Sequence, residues 1–326
     1  MTAGERLGVD CAVSWAGELI QEAADGGLLA DDPDTGTVRV VVEDTRDAFD
    51  TGGWEPLARG VAGRDGSMVL RNLLSTGFDL RVDPSADGGT VAFTFRWRPA
   101  RRERAMALAL RSRFHLLARS CLLRYPALWW AGTRGRAPLH AAVCTVGDSN
   151  VALLAGPGGV GKSTLVSMEL TDGGSAVGDN VCVSDGAAAW GVVEPLRIEG
   201  GGGRRMPHGR AERSMPNRVP VLVPDRVVVV RRGCDETGSV RPCRPLVAER
   251  SLVAGTYMAQ ELRRYWAFAA TLGLGTGIGP AHPPVAQVAA TLAGGLPATR
   301  ITLPNRPGPG LRELLASVDQ EAGTWT

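Results

Sequence analysis

The chain has 326 residues, 44% of them hydrophobic and 21% charged, a balance that supports a sizeable core and excludes a mostly disordered chain. Thirty-six basic residues against 34 acidic ones leave a net charge of +2, which gives no whole-chain signal for nucleic acid or a membrane surface. At ~100–200 residues per domain, two domains are expected, here 1–135 and 136–326.

Glu5, Arg6 and Asp10 precede any apolar run, so the N-terminus does not read as a secretory signal. Thr37–Val42 is β-branched and predicts a strand. Phe78–Val82 and Thr90–Trp97 alternate around the turn-rich 83–89, and Val91, Phe93, Phe95 and Trp97 share one face. Period two with one apolar face is the pattern of a half-buried antiparallel sheet. Met106, Leu110, Phe114, Leu117 and Cys121 then recur at helical spacing, predicting a helix from Arg102 to about Arg124, ended by Pro126. Its basic start (Arg98, Arg101, Arg102, Arg104) reads as a solvated face, with a binding patch as the alternative. His115 in this helix reads as structural.

After Pro138 the pattern changes. Ala141–Val146 and Asn150–Ala155 predict apolar strands joined by a turn at 147–149, and a helix is expected from Lys162 to about Leu170. A strand then ends near Asp179, and 181–193 reads as a hairpin around Asp185-Gly186. Strand, loop, helix, strand is an α/β unit. Residues 199–218 read as a mobile basic loop carrying Arg204, Arg205, Arg210, Arg213 and Arg218, with His208 unassigned. Val227–Val230 predicts a buried strand. The charge-free stretch 265–299 is broken by Gly273, Gly275, Gly277, Gly279, Pro280, Pro283 and Pro284, well short of the ~20 apolar residues of a spanning helix. It reads as core interrupted by a loop, with His282 structural.

Six cysteines show no metal-binding spacing and read as reduced, in a cytoplasmic protein, with Cys121 and Cys182 in the core. Lysine is the informative count. It occurs once, at Lys162, so 35 of the 36 basic residues are arginine. That lysine lies in Gly156-Pro157-Gly158-Gly159-Val160-Gly161-Lys162-Ser163, a full match to G-x-x-x-x-G-K-[ST], followed by Thr164. Such a loop curls successive backbone N–H groups around a phosphate, and the following helix adds its N-terminal amides. Lysine reaches the outer phosphates as a compact charge, and the serine hydroxyl serves Mg²⁺. Binding of a nucleoside triphosphate, ATP with Mg²⁺, follows as the expectation; a glycine-rich turn that binds nothing is the alternative. With one lysine, the N-K-x-D element of common GTPases cannot occur, and no LSGGQ-like segment is present. Val219–Val223 before Asp225 is interrupted by proline, so Asp225 reads as a strand-start residue. Asp179, 17 residues beyond Lys162 at a strand end, is the better candidate for holding Mg²⁺ or accepting a proton; its alternative is a turn residue.

The order of His140 in Pro138-Leu-His-Ala, a strand, the phosphate loop, a helix and Gly178-Asp179-Asn180-Val181 resembles the catalytic domain of HPr kinase/phosphorylase and its relatives, over about 136–310. The resemblance implies an α/β fold: a P-loop, phosphoenolpyruvate-carboxykinase-like kinase domain preceded by a smaller α+β domain. It implies an ATP-dependent phosphotransferase acting on a hydroxyl of a peptide, carrier protein or small metabolite, and a homo-oligomer. His140 would orient the acid or the acceptor, with a core histidine as the alternative. An acid pair after the helix serves base and metal in that family; here Asp179 stands alone beside Gly178 and Asn180, which speaks against phosphorylase activity. The segment Leu196-Arg197-Ile198-Glu199-Gly200 echoes a second family signature with Glu and Arg exchanged. The basic loop offers Arg204, Arg205 and Arg210 as transition-state cations, or as a solvated flap. A nucleotide-binding accessory protein and an acceptor-independent ATPase are the rival functions.

Overall fold

The structure is a computed structural model that describes residues 1–24, 36–147, 149–198, 204–205, 210–233, 238–280, 282–304 and 308–322, without the side chains of 198, 204, 205 and 317–322. His208, Glu199 and Cys234 lie outside the described residues.

Seven strands of the first hundred residues form one mixed sheet: β1 (Leu7–Cys11), β2 (Val38–Glu43), β3 (Glu55–Ala58), β4 (Val61–Arg64), β5 (Ser67–Leu70), β6 (Phe78–Pro84) and β7 (Val91–Trp97). Their order is β1-β2-β7-β6-β5-β4-β3, with β1, β2 and β7 parallel and the rest antiparallel. The alternation in β7 is realised: Val91, Phe93 and Phe95 are buried and the residues between them are not. Helix α1 (Ser14–Ala24) contributes Leu19 and Ile20 to the same core.

The helix expected over 102–124 comes in pieces. α2 (Arg101–Ala109) buries nothing, α3 (Arg111–Arg119) follows a break at Leu110, and a π turn over Ser120–Arg124 leads into α4 (Tyr125–Thr133). Pro126 therefore starts α4 rather than ending the helix. The wide π turn, in which the Tyr125 N–H reaches back to the Ser120 carbonyl, absorbs a proline that has no N–H of its own to donate. α4 is buried all round, and Trp130 is among the largest fully buried side chains.

The second half is built on the sheet β11-β9-β10-β18-β20-β19, made of β9 (Ala141–Val146), β10 (Asn150–Ala155), β11 (Ala176–Gly178), β18 (Arg226–Arg232), β19 (Ser239–Pro242) and β20 (Ala298–Leu303). β10, β18 and β20 run parallel at its centre. Their side chains alternate between two cores, as strands covered on both faces must. Leu154, Val228 and Ile301 meet α5 (Lys162–Thr171) and α9 (Leu311–Ala322), while Leu153, Val227 and Val229 meet α6 (Pro245–Met258) and α8 (Val285–Gly295). A smaller sheet, β17-β13-β12-β8, joins β8 (Ala137–Leu139), β12 (Cys182–Ser184), β13 (Ala189–Gly191) and β17 (Val221–Leu222). Part of the expected basic loop is strand, while 214–218 remain irregular. β15 (Arg204–Arg205) and β16 (Ala211–Arg213) form a three-stranded ribbon with β14 (Leu196–Ile198).

Helix α7 (Gln260–Thr276) ties the halves together. Leu262, Tyr265, Phe268 and Leu272 are buried in the core of the first sheet, and Phe268 lies 5.6 Å from the ring of Tyr125. The charge-free stretch is thus α7 and α8 with a loop between, and no helix among the described residues is long and apolar enough to cross a membrane. Cys121, Cys144 and Cys182 are buried free thiols, and Cys11 and Cys243 are free and half-buried. Truncating Phe268 to alanine removes ring packing that the collapsed core cannot replace. Urea unfolding is expected to show a loss of about 3–5 kcal/mol; a loss below about 1 kcal/mol would mean α7 is not locked to the first sheet.

Candidate functional site

β10, β18 and β20 all point their C-terminal ends at one place, where ligands of parallel α/β sheets sit. Two close approaches fix the loop there. A Cβ on Gly156 would stand 2.6 Å from the Val230 carbonyl oxygen, and one on Gly161, whose φ is 109°, would stand 2.9 Å from the Leu303 side chain. Val160 anchors the loop from below in the core that holds Leu165. Pro157, Gly158 and Gly159 face outward into a cleft of about 500 Å³, with Ser163 and Thr164 behind them on the first turn of α5.

Lys162 is 5% exposed and donates to its own loop, from Nζ to the Gly156 carbonyl at 2.6 Å and to the Pro157 carbonyl at 2.9 Å. Burial pushes its ammonium down to about 8, against the pull of Asp179 and Glu261. His140 lies at the cleft floor. Its Nε2 is 3.0 Å from Asn180 Oδ1, an atom that only accepts, so Nε2 carries the proton and Nδ1 is left without a partner among the described residues. Burial first, and then Lys162, push the ring down to about 4, so it is neutral at physiological pH. Its hydrogen bond goes to Asn180, not to Asp179.

Asp179 follows β11 as expected, but its carboxylate is sealed. The residue is 1% exposed and is not among the side chains facing the cleft. Oδ2 accepts the Arg197 backbone N–H at 3.3 Å, and buried Oδ1 has no partner among the described residues. The Ser163 hydroxyl lies against the same residue, 3.4 Å from its backbone carbonyl oxygen. Burial, then nearby Glu194, raise the carboxyl to about 6, while Ser163 and Arg197 favour its charged form. An unpartnered carboxylate oxygen beside a serine hydroxyl suits Mg²⁺, which takes few protein ligands when a polyphosphate supplies the others. The described residues hold no cluster of three or more His, Cys, Asp or Glu that could bind a metal alone.

Of the three loop arginines, Arg210 reaches the cleft, while the side chains of Arg204 and Arg205 lie outside the described ones. Three further charged groups stand in the cleft wall: Arg197, and Arg232 and Glu261, which no motif marks. Arg197 is clamped from two sides, with Nη2 3.1 Å from Glu194 Oε2 and Nη1 3.2 Å from Glu261 Oε1. Glu194 Oε2 is also 3.1 Å from Arg124 Nη2 in the π turn. Five residues earlier, Arg119 pairs at 2.5 Å with Glu212, the residue opposite Arg197 in the ribbon. The only trace of this network in the sequence was Arg197 inside the exchanged signature. Asp225 is at the other end of β10, accepting the Val151 N–H at 2.6 Å, and belongs to the strand start. His282 is stacked on Trp266 at 5.6 Å, a structural contact.

Neither a protein-family model nor a curated protein matches the sequence. Among solved structures, the HPr(Ser) kinase/phosphatase from Coxiella burnetii aligns with 58% of this chain and 93% of its own, at 13% identity and a TM-score of 0.30. That is a distant structural similarity only.

The raised Asp179 carboxyl has a consequence for stability. The folded chain holds this proton more tightly than the unfolded chain, whose aspartate titrates near 3.8. The stabilisation is complete below about pH 4 and is lost as pH rises through about 6, leaving a cost of about 3 kcal/mol at neutral pH. Asp179→Asn cannot ionise. In nucleotide-free protein, the stability of the wild type relative to this variant is expected to fall between pH 4 and pH 7, and parallel stability curves would show that the carboxylate is not desolvated.

Proposed function

We propose that this protein binds ATP with Mg²⁺ and transfers the terminal phosphate to a hydroxyl of a peptide, a carrier protein or a small metabolite. One observation carries the reading: the phosphate loop opens onto a cleft whose wall adds Lys162, Arg197, Arg210 and Arg232, four cations around one space of triphosphate size. Backbone N–H groups of 157–161 and the first turn of α5 would hold the phosphates, with Lys162 exchanging its two loop carbonyls for phosphate oxygens. Ser163 and Asp179 would hold Mg²⁺, which neutralises charge on the phosphate oxygens when bound. His140, neutral and fixed by Asn180, would orient groups at the floor without adding charge. The cleft continues past the loop to Met258, Ala259 and Gln260 on the α6–α7 connection, space for a second substrate. Transfer of a metaphosphate-like group needs positioning and charge neutralisation more than covalent help, and this site supplies both.

The burial of Asp179 favours a second reading, a nucleotide-binding accessory protein that transfers nothing. Incubation with magnesium ATP, alone and with peptides encoded beside the gene, separates the two by ADP formation and by a gain of about 80 Da on the acceptor. Acceptor-dependent ADP is expected. Acceptor-independent ADP would make the protein an ATPase, and binding without ADP an accessory protein. Lys162→Ala is expected to abolish binding and turnover together. Asp179→Asn is expected to spare much of the binding and remove transfer; full activity in that variant would overturn the role given to Asp179.

A further inference from the structure

We propose that Glu261 is the proton acceptor of the transfer step, supplying from α7 the second carboxylate that the segment after α5 lacks; this rests on the phosphotransferase reading. Among the described residues facing the cleft, Glu261 is the only Asp or Glu. Asp179, behind Ser163, is closed to an incoming hydroxyl, whereas the Glu261 side chain is 27% exposed at the cleft wall. The two acids therefore divide the work: a sealed one on the metal side and an open one on the acceptor side.

Glu261 sits where a catalytic carboxylate is held rigidly. It lies in the first turn of α7, one residue beyond Gln260, after Ala259 breaks the chain between α6 and α7. Leu262 next to it and Tyr265 one turn on are buried in the core of the first sheet. Its Oε1 is held 3.2 Å from Arg197. The charged or titratable groups around it are Arg197, Arg124, Tyr125, His140 and Lys162. Burial works against its charge, but Arg197 outweighs it and keeps the carboxyl below the usual range in the nucleotide-free protein. An arriving triphosphate carries more charge than one carboxylate and competes for both Arg197 and Lys162. As Arg197 turns to phosphate, Glu261 loses its strongest stabiliser, and its affinity for a proton rises in the state where a proton must be taken.

The step balances simply. The acceptor oxygen attacks the terminal phosphorus and forms a new P–O bond, and the bond from that phosphorus to the bridging oxygen breaks, with the electron pair leaving on ADP. The hydroxyl proton passes to a Glu261 carboxylate oxygen and from there to solvent.

Glu261→Gln keeps size and hydrogen-bonding capacity but not basicity. ADP formation from magnesium ATP is followed with water and with N-acetylserine amide as hydroxyl probes, with nucleotide affinity by calorimetry and folding by thermal unfolding. The expected result is a kcat lowered about 10²- to 10⁴-fold with nucleotide affinity unchanged or tighter, loss of the acidic limb of the kcat–pH profile, and recovery of turnover in Glu261→Ala by added formate. Wild-type kcat in Glu261→Gln overturns the proposal. So does a loss that comes with weaker nucleotide binding and a lower melting temperature and that formate does not restore, since that is the mark of a purely structural ion pair. A wild type that binds magnesium ATP and forms no ADP with water, with N-acetylserine amide or with the peptides encoded beside the gene removes the phosphotransferase reading itself, and Glu261's role with it.

Discussion

Lys162 is a buried ammonium whose two hydrogen bonds go to carbonyl oxygens of the loop that carries it. Burial outweighs the pull of Asp179 and Glu261 on this ammonium and depresses its proton affinity. Gly156 is pressed against β18, Gly161 against Leu303, and Val160 into the core, which fixes the base of the loop. A phosphate placed in the curl would replace two neutral acceptors with charged ones, which is the stronger class of hydrogen bond.

The same logic extends outward through carboxylates. Arg197 shares Glu194 with Arg124 and reaches Glu261 on its other side, so the π turn, the ribbon and α7 meet in one run of alternating charge. Buried ion pairs of this kind add little net stability, but removing one partner strands the next. Their effect is geometric: the π turn fixes where the ribbon stands, and the ribbon fixes where Arg197 stands. The first sheet thereby contributes to the wall of a cleft built on the second.

What was legible in the sequence is what short-range rules govern. The Gly156–Ser163 spacing is set by backbone torsions and close approach, so a string of eight residues marks both the loop and the helix after it. β7 carried its face in its own alternation, whereas β9 and β10 showed as continuous apolar runs because they are buried along most of their length. The strands over 55–70 did not, because they are short, broken by Pro56, Gly60 and Gly66, and take their partners from one another. Pro126 misled because a π turn can absorb a proline that an α turn cannot. The Arg124–Glu194–Arg197–Glu261 run spans more than a hundred residues with no spacing rule, and only packing brings it together. Asp179 could be placed beside Ser163 from its position after β11, but its closure from the cleft depends on Arg197 and Glu194 folding over it.

The most direct measurement is calorimetric titration of the intact protein with magnesium ATP, set beside Lys162→Arg, which keeps the charge and changes only its shape. The structure predicts saturable one-site binding to the wild type and none to the arginine variant, whose planar guanidinium does not fit the curl of 156–161. No heat of binding from the wild type, or equal binding by both proteins, would contradict the account.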